Sequence, residues 1–126
     1  MSANFNLNKV VLGGRLTADV ELKQTPNGVS VCQFTVAVNR KHISKEEGGQ
    51  TADFINCVAW RSTAEFISKY FKKGSSICIC GNIQTRHWKD NDGNRHYATE
   101  VVVDEAMFVD SKGDGAPVVT DEELPM

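Results

Sequence analysis

The 126-residue sequence predicts an all-β fold, a small closed barrel of five strands with one short helix between the third and fourth. Three observations predict it. Successive runs alternate apolar and polar side chains with the period of two that a half-buried strand requires. A glycine pair, Gly13-Gly14, interrupts the first run where a strand shared between two sides of a barrel must bend. A single window, Ser62 to Lys72, has helical rather than strand periodicity.

In chain order, Lys9 to Leu16 is the first strand, with Val10, Leu12 and Leu16 on one side. Thr25-Pro26-Asn27-Gly28 then reads as a β-turn, proline fixing φ at the second position and glycine standing at the fourth. Val29 to Val38 is the second strand, placing Cys32, Phe34, Val36 and Val38 opposite Val31, Gln33, Thr35 and Ala37. Asn39 to Ala52 lacks apolar periodicity and is expected to be a partly basic loop carrying Arg40, Lys41, His42 and Lys45.

The third strand, Asp53 to Trp60, is the most informative stretch. Ile55, Cys57 and Ala59 suit a core, whereas Phe54, Asn56, Val58 and Trp60 put two large aromatics beside an amide on the other face. Such a face is either a second packing surface or a stacking platform. Ser62-Thr63-Ala64-Glu65 has the form of a capping box. The helix it opens places Phe66, Ile67, Tyr70 and Phe71 on one face, gathers Lys69, Lys72 and Lys73 at its C-terminal end, and is expected to stop at Gly74.

Ser75 to Lys89 is a long fourth strand, with Ile77, Ile79, Gly81 and Ile83 on one parity and Cys78, Cys80, Asn82, Gln84, Arg86 and Trp88 on the other. Asp90 to Asn94 is a hairpin tip, His96 to Asp104 the fifth strand, and Met107 to Val109 closes the fold. These elements fit a five-stranded Greek-key barrel of the OB type, and an SH3-like barrel seldom places a capped helix at that point.

The net charge of −2 is unevenly spread: residues 111–126 hold one lysine and four acids, net −3, leaving residues 1–110 at net +1. Residues 1–110 therefore read as the folded domain, and residues 111–126 as a disordered tail ending in an acidic, hydrophobic tip. The four cysteines form no Cys-x-x-Cys, which argues against zinc-ribbon and thioredoxin-like motifs and suggests reduced, buried thiols. With a polar N-terminus and no run of membrane-spanning length, a cytoplasmic location is expected.

In chain order the segments Asn8 to Leu12, Thr25 to Gly28, Phe34 to Val38, Asp53 to Trp60, Tyr70 to Ser75, Thr85 to Trp88 and Thr99 to Val103 closely resemble those of a bacterial-type single-stranded DNA-binding protein. The resemblance runs through residues 8–109 and extends to the acidic tip. It implies an OB fold, a homotetramer, no catalysis and no cofactor. It also implies a C-terminal tip, here Asp121, Glu122, Glu123, Leu124, Pro125 and Met126, that recruits replication, repair and recombination proteins. The chain departs from the family pattern at His42, where an aromatic of the basic loop is expected, in its short spacer from Ser111 to Thr120, and at Met126 in place of a terminal aromatic. These features fit a phage or mobile-element copy, working in the host cytoplasm, as well as a divergent bacterial paralogue associated with the nucleoid.

A sequence-tolerant binder of single strands needs aromatic platforms interleaved with cations. Phe54, Trp60 and Trp88 are the candidate platforms, since the opposite parities already supply an aliphatic core. Candidate phosphate contacts are Arg86, which shares the parity of Trp88, and then Lys9, Arg15, Arg40, Lys41, Arg61, Lys72, Lys73 and Lys89. A metal-dependent nuclease would need acids converging from strand faces, yet Asp90 and Asp92 fall at the hairpin tip and Asp121 to Glu123 in the tail. A zinc or redox site on Cys78 and Cys80 with His87 or His96 lacks a spacing motif. An RNA-binding or protein-binding barrel remains open, because stacking does not distinguish ribose from deoxyribose.

Overall fold

A computed structural model describes residues 4–41 and 51–109. The strands are β1 (Val10–Leu16), β2 (Lys23–Gln24), β3 (Ser30–Asn39), β4 (Ala52–Trp60), β5 (Ser76–Lys89) and β6 (Arg95–Phe108), with helix α1 (Arg61–Tyr70) between β4 and β5. The sheet order is β1-β5-β6-β4-β3-β2, and an additional β1–β3 pairing closes it into a barrel. Every pair is antiparallel except β4 with β6. The five expected strands are all present. The two-residue β2 is an addition, and the closing segment through Phe108 is continuous with the fifth strand rather than separate from it.

Closure depends on β1 serving two neighbours. Residues Val10 to Arg15 pair with β5, while Arg15 and Leu16 pair with Ala37 and Val36 of β3. At the changeover the β3 backbone comes so near that a Cβ on Gly14 would sit 2.2 Å from the Ala37 carbonyl oxygen. The bend expected at the glycine pair therefore falls at Gly14. A second irregularity lies between Cys80 and Gly81, where β6 carries the extra residue Asp104. Past it β5 leaves the barrel, so Ile83, on the parity of the buried Ile77 and Ile79, is exposed instead.

The core is the inward parity of each strand: Leu16, Cys32, Phe34, Val36, Cys57, Ala59, Ile77, Ile79, Val101 and Val103. The helix adds Ala64 and Ile67 across one end, and Phe71 just beyond it stacks on Phe108 with ring centroids 4.9 Å apart. Cys32 and Cys57 are buried as expected; Cys78 and Cys80 are half-buried on the outer wall, because their parity of β5 faces away from the core.

The helix ends differ from the sequence expectation. The chain enters α1 directly from β4, so Ser62 lies inside the first turn, Trp60 occupies the N-cap position and no side chain caps the end. Arg61 makes the abrupt turn with φ at 58°. The Glu65 carboxylate accepts a hydrogen bond from the Ser30 hydroxyl at 2.9 Å, tying the helix to β3. At the other end the helix stops at Tyr70; Lys72 and Lys73 belong to the following turn rather than the last helical one, and Gly74 donates its N–H to the Leu16 carbonyl. His42, Lys45 and the tail from Ser111, with Asp121 to Met126, lie outside the described residues.

Candidate nucleic-acid interface

The strand registers determine which side chains share the outward face of the sheet. Trp60 stands opposite Val31, Val58 opposite Gln33, Asn56 opposite Thr35 and Phe54 opposite Ala37. Val58 aligns with Val102, Gln84 with Glu100, and Trp88 with His96. Because directly paired residues project to the same side and alternate residues along a strand do likewise, Phe54, Trp60, Arg86 and Trp88 belong to one continuous face. Phe54 is 63% exposed, and Trp60 and Trp88 are each 42% exposed.

Trp60 and Arg86 line a common open groove with Gln33, Gln84, Glu100 and Val102. Val58 is the floor of that groove and is buried. A second recess next to it, at the rim where β4 and β6 diverge, shares Gln33, Arg86 and Glu100, adds Asn56, and is closed by Tyr97 and Thr99 from the other side of β6. Thr35 donates its hydroxyl proton to Asn56 at 3.1 Å, and Gln84 donates an amide proton to Asn82 at 2.8 Å. The surface thus combines flat π-faces with amides and hydroxyls that donate and accept hydrogen bonds.

Arg86 is the most constrained cation of this face. Its Nε donates to Glu100 at 2.9 Å, and its Cζ lies 4.6 Å from the centre of the Trp88 ring. Trp88 also stacks on His96, with centroids 5.5 Å apart and planes 20° from parallel. His96 Nε2 in turn lies 2.7 Å from an Asp90 carboxylate oxygen. That contact, with the backbone amides of Asn94 and Asp92, holds Asp90 below the usual carboxylate range against the smaller effect of desolvation.

The other candidate cations are spread more widely. Arg40, where β3 ends, is bound to Asp53 through Nε and Nη2, with a shortest contact of 2.8 Å. That bond lowers the Asp53 pKa and raises that of Arg40. Lys41 is exposed beside Arg40, and Arg61 is exposed next to Trp60. The backbone N–H of Lys73 donates to Asp19, itself a groove-lining residue, while Lys72 belongs to the same turn. Lys9 is exposed just before β1, and Arg15 lines a shallow outer recess with Gly13 and Ser76, apart from the Trp60 groove. Lys89 pairs with Arg95, on the ribbon face opposite Trp88. The sequence reading did not place His96, Tyr97 or Arg95 among the candidate nucleic-acid contacts, although counting back across the Asp90–Asn94 tip puts them opposite Trp88, His87 and Lys89.

Among the described residues no group of three or more His, Cys, Asp or Glu side chains is placed to hold a metal ion. Burial raises the Cys32 thiol to about 11, against a smaller lowering by the Ala59 backbone; burial and then the Glu100 charge raise Cys57 to about 12. Neither is a poised nucleophile.

Residues 7–109 match the family described as "Single-strand binding protein family". Over 107 residues the chain is 52% identical to a "Single-stranded DNA-binding protein" of Oceanobacillus iheyensis, covering 85% of this chain and 66% of that one. It is 51% identical over 107 residues to a protein of the same description from Halalkalibacterium halodurans, covering 85% and 63%. Over 110 residues it is 50% identical to "Single-stranded DNA-binding protein 3" of Listeria innocua, covering 87% and 68%. The match thus spans about two thirds of the length of these relatives. On a family match over most of its length, and on this identity to bacterial relatives, the chain belongs to the single-strand binding protein family.

Proposed function

We propose that the chain binds single-stranded DNA with little regard for sequence, stacking bases on Phe54, Trp60 and Trp88 and holding phosphates with lysine and arginine side chains. The observation that carries this reading is the division of the sheet. One parity fills the core with aliphatic side chains, while the other leaves three large aromatics exposed among amides and Arg86 on one face. Unstacked bases offer π-faces to such a platform, and every base has one, so binding tolerates sequence. Arg86 is the first phosphate contact; Arg40, Lys41 and Arg61 flank the platform, and Lys9, Arg15, Lys72 and Lys73 are peripheral. The similarity to bacterial proteins described as single-stranded DNA-binding supports the same ligand.

The proposed role is to protect single strands during replication, repair and recombination, by binding rather than catalysis and without a cofactor. The folded unit is residues 1–110, and residues 111–126 are a tail whose tip, Asp121 to Met126, docks partner proteins. Its acids repel phosphate, while Leu124, Pro125 and Met126 offer an apolar anchor. A homotetramer is supported by the outer wall of β1, β5 and β6, where Val11 is 62% exposed and Met107 and the two half-buried thiols extend the apolar surface. No helix among the described residues is long and apolar enough to cross a membrane, and the proposed place of action is the cytoplasm.

Competition against a labelled single-stranded DNA oligomer tests the ligand. Unlabelled single-stranded DNA should displace it most effectively and duplex of the same sequence least. Equal displacement by duplex would overturn the reading, and equal displacement by matched RNA would make the chain a general single-strand binder.

A further inference from the structure

Beyond the barrel, β5 and β6 form a two-stranded ribbon, and from Ile83 to Tyr97 every residue except the half-buried Asp90 is exposed. Both ribbon faces therefore meet solvent. The face opposite Trp88 carries His87 paired with Tyr97 and, one step nearer the tip, Lys89 paired with Arg95. The His87 and Tyr97 rings lie 6.1 Å apart, and Tyr97 is 71% exposed, more than any of the three proposed platforms.

Like charges directly across a strand pair destabilise it. Neither Lys89 nor Arg95 makes an ion pair with a described residue, and the nearby Asp90 carboxylate is engaged by His96, on the other face. A local arrangement that costs stability without a structural return marks a functional position. Here the return is chemical: an open aromatic ring followed along the ribbon by two unneutralised cations is the combination that holds a base and its flanking phosphates. The first face, by contrast, has its Arg86 already occupied by Glu100.

We propose that this reverse face of the β5–β6 ribbon is a second track for single-stranded DNA, with Tyr97 stacking a base and Lys89 and Arg95 contacting phosphates on its tip side. The proposal rests on the single-strand reading given above and adds that the strand engages both ribbon faces.

The test titrates the full chain, Tyr97→Ala, Tyr97→Phe and a Lys89→Gln/Arg95→Gln double variant with a long oligo(dT) over a range of salt, using tryptophan emission to report the first face. Tyr97→Ala should weaken binding roughly 5- to 150-fold, the range that one lost base stack produces, while Tyr97→Phe keeps the parent affinity. The double variant should flatten the slope of log K against log salt by about 1.4, from two phosphates at about 0.7 each. Parent affinity and slope in Tyr97→Ala and in the double variant, with the emission change intact, would overturn the proposal. So would a changed oligomeric state in Tyr97→Ala with unchanged affinity, which would make Tyr97 a subunit contact. A parent protein that does not bind the oligomer would overturn the single-strand reading itself, and this proposal with it.

Discussion

The Arg86 guanidinium lies over the indole of Trp88, 4.6 Å from the ring centre, while its Nε remains bonded to Glu100. A cation held over a ring both orients the ring and keeps a charge beside whatever stacks on it. Trp88 and Arg86 should therefore act as a unit. Trp88→Ala is expected to weaken DNA binding by about 1–3 kcal/mol. In a double-mutant cycle with Arg86→Ala the losses should fall short of additive by at least about 0.5 kcal/mol. Strict additivity in folded proteins would show that the two side chains act independently.

Glu100 is placed to compete with a phosphate for Arg86. Its side chain is largely buried and its carboxylate is already bonded to the guanidinium, so a phosphate must displace it or share the charge. Glu100→Gln should raise affinity and steepen the salt dependence by up to about 0.7 in slope, and Arg86→Ala should flatten it by the same amount. Equal slopes in Arg86→Ala and the parent would remove Arg86 from the phosphate contacts.

Barrel closure at Gly14 is tested by two neighbouring substitutions. A Cβ at Gly14 would lie 2.2 Å from the Ala37 carbonyl oxygen, whereas one at Gly13 meets nothing within 4 Å. Gly14→Ala should cost about 1–3 kcal/mol through forced backbone separation, and Gly13→Ala should be close to neutral. Denaturant midpoints at constant m-value provide the comparison.

The buried thiols make stability fall at alkaline pH. Cys32 and Cys57 have folded pKa values raised to about 11 and about 12, from 9.0. The unfolded chain therefore releases these protons first. Below pH 9 the thiols contribute no pH dependence; above it, stability should decline by about 1.4 kcal/mol per pH unit for each thiol, until the folded values are reached. Alkylation at pH 8 followed by mass spectrometry should leave both unmodified until the protein unfolds. Modification of either in the native state would contradict their burial.

The strand pattern and the exposed aromatic face were legible because a period of two carries its own geometry. Once Ile55, Cys57 and Ala59 face the core, Phe54 and Trp60 must face away from it. The helix start was not legible, because the capping-box pattern of Ser62 and Glu65 is local, whereas the direct entry from β4 and the Ser30 bond to Glu65 are tertiary. Asn8 was equally hidden: it both donates to and accepts from the Ile83 backbone, at 2.7 and 2.9 Å across 75 residues of sequence. The carboxylates facing Arg40 and Arg86 escaped notice for the same reason. Pairing Asp53 with Arg40 requires the ends of β3 and β4 to be adjacent, and pairing Glu100 with Arg86 requires the β5–β6 register.

The claim that bases stack on the shared face of Trp60 and Trp88 is tested by tryptophan emission in two single-tryptophan proteins, Trp60→Phe and Trp88→Phe. Titrated with single-stranded DNA, each remaining indole should be quenched in parallel with binding, and duplex of the same sequence should leave both unchanged. Saturating single-stranded DNA that binds without quenching either indole would contradict the claim.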